Sequence, residues 1–149
     1  MNRTKPIELT NLCLVYDQDR LLVQERTWKE ETGIIFPGGH VEDNESLLES
    51  VIREIREETG LTIENPIPCG YKDWINDDGS RYLVLLYKTR HFSGQLRSSP
   101  EGRVFWVTRE EFQNMHVLWN MRELLQIMES DAYSELFWAK GQEDGQLLG

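Results

Sequence analysis

Hydrophobic residues along this chain switch between two spacings. From Leu9 to Tyr16 they fall on both alternating faces, which predicts a central strand. Asp17-Gln18-Asp19 is a short turn, and Leu21 to Glu25 predicts a second strand closing a hairpin with the first. Thr27 to Gly33 is polar and charged and reads as a loop. Ile34-Ile35-Phe36 is a short apolar strand. It delivers the chain to Phe36-Pro37-Gly38-Gly39, a rigid turn whose small residues let backbone groups approach a ligand. The spacing then becomes helical. Leu47, Leu48, Val51, Ile52, Ile55 and Thr59 form one apolar arc at about 100° per residue, which should face the core. Ser46 and Glu49 fit a capping box at its start, Glu49 and Arg53 are a favourable (i, i+4) pair, and Gly60 suits the left-handed residue past its end.

Strand-like spacing returns at Leu61 to Ile63 and Ile67 to Tyr71, where Asn65-Pro66 and Pro68 predict an irregular edge strand. Asn76-Asp77-Asp78-Gly79 is a turn signal. Arg81 to Arg90 holds the longest apolar run and predicts a buried strand. Ser93 to Gly102 reads as loop, Val104 to Val107 as a strand, and Thr108 to Met115 as a short capped helix. Met121, Leu124, Leu125 and Met128 place a second amphipathic helix over Asn120 to Glu129. An apolar patch, Leu136-Phe137-Trp138, precedes a polar, Gly-rich tail from about residue 139, which is expected to be disordered. Mixed strands with two well-separated helices suggest an α/β protein with a sheet covered on both sides. The 149 residues, without repeat or linker, suggest one domain spanning 1–149.

Charge changes the picture. A net charge of −10 disfavours binding to nucleic-acid polymers, which need basic patches. No apolar run reaches the ~18 residues of a membrane span, and Met1 to Pro6 is polar, so no membrane partner and a cytoplasmic location are expected. Cys13 and Cys69 are expected to be buried free thiols. Much of the acidity gathers between Gly39 and Leu61. One reading is a solvated, Glu-rich helix. The angular positions favour another. Glu58 lies inside the apolar arc, one turn after Glu54, with Glu57 on the flank, so the three make a strip of carboxylates beside the buried face. Partly buried like charges cost several kcal/mol unless paired, and a hard divalent cation with oxygen ligands removes that cost.

The same stretch reads Gly-x5-Glu-x7-Arg-Glu-Ile-x-Glu-Glu-x-Gly-Leu, from Gly39 to Leu61. This resembles the Nudix box, with every constrained position filled. The resemblance implies an α/β/α sandwich with a mixed β-sheet and Mg²⁺-dependent hydrolysis of a phosphoric anhydride, with Mn²⁺ as a substitute for Mg²⁺. It implies that Glu54 and Glu58 are the main side-chain metal ligands, with Glu57 assisting in metal binding and catalysis. The Gly38 carbonyl is a candidate backbone ligand. Gly39, Glu45, Arg53 and Gly60 take structural roles. Glu101, before Gly102 and the strand with Trp106, resembles the loop position where MutT-type members place a catalytic or metal-binding Glu; an ordinary loop carboxylate is the alternative.

Outside the box, Arg26 ends the second strand near the glycines and is either a phosphate contact or a surface arginine. Phe36 and its turn are candidate substrate contacts. Asn120 either caps the last helix or, as in MutT-type enzymes, reads a purine. Trp28, Trp74 and Trp119 are candidates for stacking a base, with core packing the alternative, and His40 is assigned no role. The layout looks like the MutT-type 8-oxo-dGTP diphosphatases, so the expected substrate is a small-molecule nucleoside triphosphate cleaved to monophosphate and diphosphate, and a homodimer is allowed. A nucleotide-sugar or dinucleotide pyrophosphatase is the enzymatic alternative; a non-catalytic nucleotide-sensing module is the alternative of another class.

Overall fold

The computed structural model describes residues 1–149. Its first strand, β1 (Ile7–Asp17), is the strand predicted to be central, two residues longer at its start and one at its end. Alternation along β1 feeds two cores. Leu14 belongs to the larger one, and Cys13 and Val15 to the smaller. One edge of β1 pairs in parallel with β7 (Arg81–Thr89), from Ile7 opposite Arg81 to Val15 opposite Thr89. Its other edge pairs first with β4 (Gly38–His40) and then, only at Tyr16 and Asp17, with β2 (Arg20–Trp28). The predicted hairpin is therefore confined to its turn. Beyond it β2 leaves β1 and pairs with β3 (Glu31–Ile35) and β9 (Arg103–Thr108).

The full sheet has nine strands. Its main path runs β11-β10-β6-β7-β1-β2-β3, with β6 (Ile67–Ile75), β10 (Glu135–Trp138) and β11 (Gln146–Leu148) on the far side of β7. A separate two-stranded ribbon joins β5 (Thr62–Glu64) to β8 (His91–Ser93). Helix α1 (Leu47–Thr59) packs Val51 and Ile55 on the smaller core, while α2 (Arg109–Gln113) and α3 (Met121–Glu129) pack Phe112, Leu124 and Met128 on the larger. Helices thus lie on both faces of a mixed sheet, as expected for the α/β/α sandwich.

Several expectations need correction. Thr27 to Gly33 is not a loop but the tip of the β2–β3 hairpin, turning at Lys29 and Glu30, both at positive φ (49° and 69°) as a tight two-residue turn requires. Gly38 and Gly39 are not in a turn; they form β4, held straight against β1. β6 is irregular, with a register shift between Pro68 and Gly70, but it is not an edge, because β10 pairs in parallel with Tyr71 to Trp74. The Gly-rich tail is ordered: Gln146 to Leu148 fold back antiparallel on β10. Leu136 fills the larger core, which is the role of the apolar patch. In α1, Leu47 and Leu48 are exposed, because the first turn overhangs the sheet and only the arc from Ser50 to Thr59 meets it. Both thiols are free, Cys13 buried and Cys69 half-buried.

Candidate active site

Helix α1 is fixed at both ends. The Ser46 hydroxyl accepts the Glu49 N–H at 2.9 Å, and Gly60, at φ 79°, closes the last turn by donating to Arg56. The predicted reciprocal bond from Glu49 and its pairing with Arg53 are not formed, because Arg53 turns towards other acids. Its guanidinium reaches Glu45 at 2.6 Å and both Glu54 and Glu57 at 3.1 Å, and donates to the His40 carbonyl. One arginine thereby sets the orientation of the strip and ties α1 to the end of β4. The bond from Arg53, with help from the Glu42 N–H, holds the Glu45 carboxyl down at about 2.

Glu58 is on the buried face, at 4% exposure. Its Oε2 accepts the Gly38 N–H at 2.9 Å, and Arg26 stands 3.4 Å from its Oε1. Burial still pushes its pKa up to about 7, against the pull of Gly38 and Arg26 and with the negative charge of Glu54 and Glu101 adding to it. The Glu54 carboxyl is raised in the same way by burial, with Arg53 opposing. Arg26 also bonds Glu101 at 2.7 Å, so the loop before β9 is brought to the end of the strip. The structure therefore brings Arg26, Gly38, Gly39, Glu45, Arg53, Glu54, Glu57, Glu58 and Glu101 into one neighbourhood.

The two glycines are needed there for different reasons. A Cβ on Gly39 would lie 2.5–2.6 Å from the Glu54 carboxylate oxygens, so only a glycine lets that carboxylate lie across the strand. A Cβ on Gly38 would meet β1 backbone, 2.7 Å from Leu12 Cα. Asn11, which the sequence reading missed, supports both elements: its side chain donates to Ser50 of α1 at 3.0 Å and accepts the Gly39 N–H at 3.3 Å. An amide inside the apolar run Leu9 to Val15, buried to 1%, was the available signal.

From the glycines a cleft of about 490 Å³ runs over the sheet beside the start of α3, whose Met121 lines it. Arg26 of β2 and Gly38 and Gly39 of β4 line it on one side of β1, Lys72 and Trp74 of β6 line it beyond β7 on the other, and Trp119 bridges them. Trp28 and Trp119 meet edge to face at 6.0 Å and are both exposed, whereas Trp74 stacks on Tyr82 at 4.2 Å. A second cavity of about 470 Å³, lined by Asn120 and Trp138, shares Lys72 and Trp74 with the cleft. Asn120 holds the N-cap position of α3, its carbonyl accepting the Leu124 N–H at 3.0 Å. It sits at φ 64°, but its side chain makes no capping bond. Phe36 is a correction to the predicted contacts. Its ring is fully buried against Phe112 at 5.3 Å and its N–H points at the Met121 sulfur, so neither is free for a ligand. His40 bonds Glu8 at the surface.

This geometry is matched by what the chain resembles. The NUDIX domain family model matches residues 8–127. The chain belongs to the Nudix family. It is 36% identical over 114 residues to the uncharacterized Nudix hydrolase YvcI of Bacillus subtilis, covering 72% of this chain and 69% of that one. It is 32% identical over 79 residues to the phosphatase NudJ of Escherichia coli K12, and that match spans about half of each protein (53% and 52%). A crystal structure of a MutT protein from Bacillus halodurans superposes with a TM-score of 0.75 at 28% identity, covering 95% of both chains. This Nudix chain is accordingly a diphosphohydrolase that acts on a pyrophosphate-containing substrate, in a family whose members bind small nucleotide-type molecules and work with a divalent metal. No helix is long and apolar enough to cross a membrane.

The Nudix strip suits such a metal by its charge. Four carboxylates, Glu54, Glu57, Glu58 and Glu101, face two guanidiniums, and the most buried of the four still holds its proton up to about neutral pH. As they stand, no three of these groups converge closely enough to hold an ion, because Arg26 and Arg53 occupy their lone pairs. Glu57 and Glu101 are exposed, so their rotamers are free to swing inwards. The donors are all hard oxygens, which is the chemistry that Mg²⁺ and Mn²⁺ accept.

Proposed function

We propose that this Nudix hydrolase is a Mg²⁺-dependent nucleoside-triphosphate diphosphatase, with 8-oxo-dGTP the foremost candidate, releasing nucleoside monophosphate and diphosphate. The observation that carries this reading is the single cleft joining Arg26 and the glycine pair to an aromatic end, a shape that accommodates phosphates and a base at once. Glu54, Glu57 and Glu58 would hold the metal, with the Gly38 carbonyl as a backbone ligand. When bound, a divalent cation offsets phosphate charge and makes a water molecule more acidic. Arg26 binds the phosphate chain and keeps Glu101 turned towards it. Glu101, exposed and beside the strip, takes the proton of the attacking water.

Two measurements test the reading. Glu101→Gln should lower kcat more than it raises KM, because the loss falls on the chemical step; unchanged kcat at saturating Mg²⁺ would make Glu101 an ordinary partner of Arg26. Asn120→Ala should weaken 8-oxo-dGTP hydrolysis selectively, by roughly 5- to 150-fold, the range of one lost buried hydrogen bond. Equal losses for all nucleotides would remove Asn120 from base recognition. The second cavity favours one other reading. Beyond Lys72 it offers room for a further group, as a nucleotide sugar or dinucleotide carries. A substrate panel with Mg²⁺, scored by product identity, separates the two, and a wild-type preference for nucleotide sugars over 8-oxo-dGTP would replace the first.

A further inference from the structure

Lys72 stands out among the groups that this chemistry leaves unused. It is a lysine at only 7% exposure, on β6. Its Nζ donates to the Trp119 carbonyl at 2.7 Å and lies 5.5 Å from the Trp74 ring and 5.6 Å from that of Trp138. It forms no ion pair; Glu123 of α3 favours its charge only from beyond that range. Burial brings its pKa down to about 8. An ammonium has three N–H donors, and the protein takes one of them. Aromatic faces offset part of the desolvation of a buried cation, but they accept no conventional hydrogen bond. Lys72 also forms part of the wall of both cavities, so its remaining donors border ligand space rather than core.

The neighbours of Lys72 say which part of a ligand it would meet. The anion-binding end of the cleft is set by Arg26 and the glycines, beside the carboxylate strip. Lys72 is on β6, separated from the glycines of β4 by β7 and β1, beside the stacked Trp74 and Tyr82 and the Trp119 carbonyl. A flat heterocycle fits those surroundings, and what a cation with spare donors demands from its rim is an acceptor. We propose that Lys72 selects nucleobases bearing an exocyclic carbonyl oxygen, donating an Nζ–H to that oxygen at the aromatic end of the cleft. A base with an amino group at the same position turns donors against donors, so it is excluded by repulsion as well as by a missing bond. The inference rests on the nucleotide reading above and adds the class of base.

Inosine and adenosine triphosphates test it, because they differ only at the C6–N1 edge, one with a carbonyl oxygen and the other with an amino group. The wild type should favour ITP by about ten-fold or more in kcat/KM, mainly through KM, the scale of a polar group left unpaired in a binding site. K72M should bring the ratio close to one by losing ITP while ATP stays within about two-fold. K72Q, which keeps N–H donors without charge, should fall between, and it carries the test if K72M does not fold. Equal turnover of ITP and ATP by the wild type overturns the inference and leaves the nucleotide reading standing. So does a ratio unchanged in K72M or K72Q, or an equal loss of both substrates, which would make Lys72 only the anchor of the Trp119 carbonyl. Hydrolysis of another diphosphate compound with no turnover of either nucleotide overturns the nucleotide reading and this inference together.

Discussion

Glu58→Gln is expected to cut turnover by roughly 10²-fold or more while leaving the fold in place, the scale of removing a principal electrostatic element from an active site. Glutamine keeps the size of the side chain and can still accept the Gly38 N–H. What it loses is charge, and charge at this position is already strained by burial. That strain gives a second readout. In chelator, the folded protein holds the Glu58 proton up to about pH 7, whereas the unfolded chain releases it near the ordinary 4.5. Between those values the folded state binds more protons, so this group's stabilising contribution is complete below about 4.5 and fades as pH rises through 7. At about 1.4 kcal/mol per unit the change amounts to no more than about 4 kcal/mol. Melting temperature against pH in chelator should therefore decline across that window in the wild type and stay flatter in Glu58→Gln. Full activity of the folded variant, or wild-type activity untouched by chelator, would sink the role of the strip.

Neighbouring glycines should fail in opposite ways. At Gly39 the obstacle to a Cβ is the Glu54 carboxylate, the far end of a flexible side chain. Gly39→Ala should fold nearly as well as wild type, swing Glu54 away and lose activity roughly 10²-fold, as a carboxylate misplaced by about an ångström would. At Gly38 the obstacle is β1 backbone around Asn11 and Leu12, which cannot swing aside. Gly38→Ala should disturb the β1–β4 pairing and destabilise the protein by at least the 1–3 kcal/mol typical of overpacking. Thermal melts paired with kcat on each variant check both. A Gly39→Ala protein with full activity would mean that the observed Glu54 position is not the working one.

The parts of this fold that were legible in the sequence are those governed by neighbours in the chain. Helix α1 carries its own cap, period and stop, and the place of Glu58 in its buried arc followed from angle alone. The β2–β3 turn was missed because its two positive-φ positions are Lys29 and Glu30, residues that give no turn signal. β6 was misread as an edge because its prolines are near its start and its outer partner, β10, lies some sixty residues away. β11 was missed because three residues in a Gly-rich tail gain strand structure only from the partner they meet. At the site, the gathering of the box acids followed from motif spacing, whereas Glu101 was a candidate only by the resemblance of its loop position, and the Arg26 bond that brings it to them gave no signal in the sequence. The direction of the Phe36 ring was not legible, because it depends on Phe112 in a distant helix. Lys72 was missed because the predicted strand stopped at Tyr71, whereas β6 runs on to Ile75, and a lysine just past a strand looks like a solvated charge.

Arg26 and Arg53 give the acidic strip a further property. Each of its carboxylates already has a guanidinium nitrogen within reach, so the protein carries its own counter-charge. On the proposed reading, a divalent cation held there would exchange with those nitrogens rather than meet bare anions, and they would take its place when it left. The strip would then act as an ion exchanger whose resident charges come from β2 and α1. Protein stripped by chelator should therefore keep its fold and regain full activity on return of the ion, with an apparent metal affinity that tightens when Arg26 or Arg53 is shortened to a neutral residue even as turnover falls.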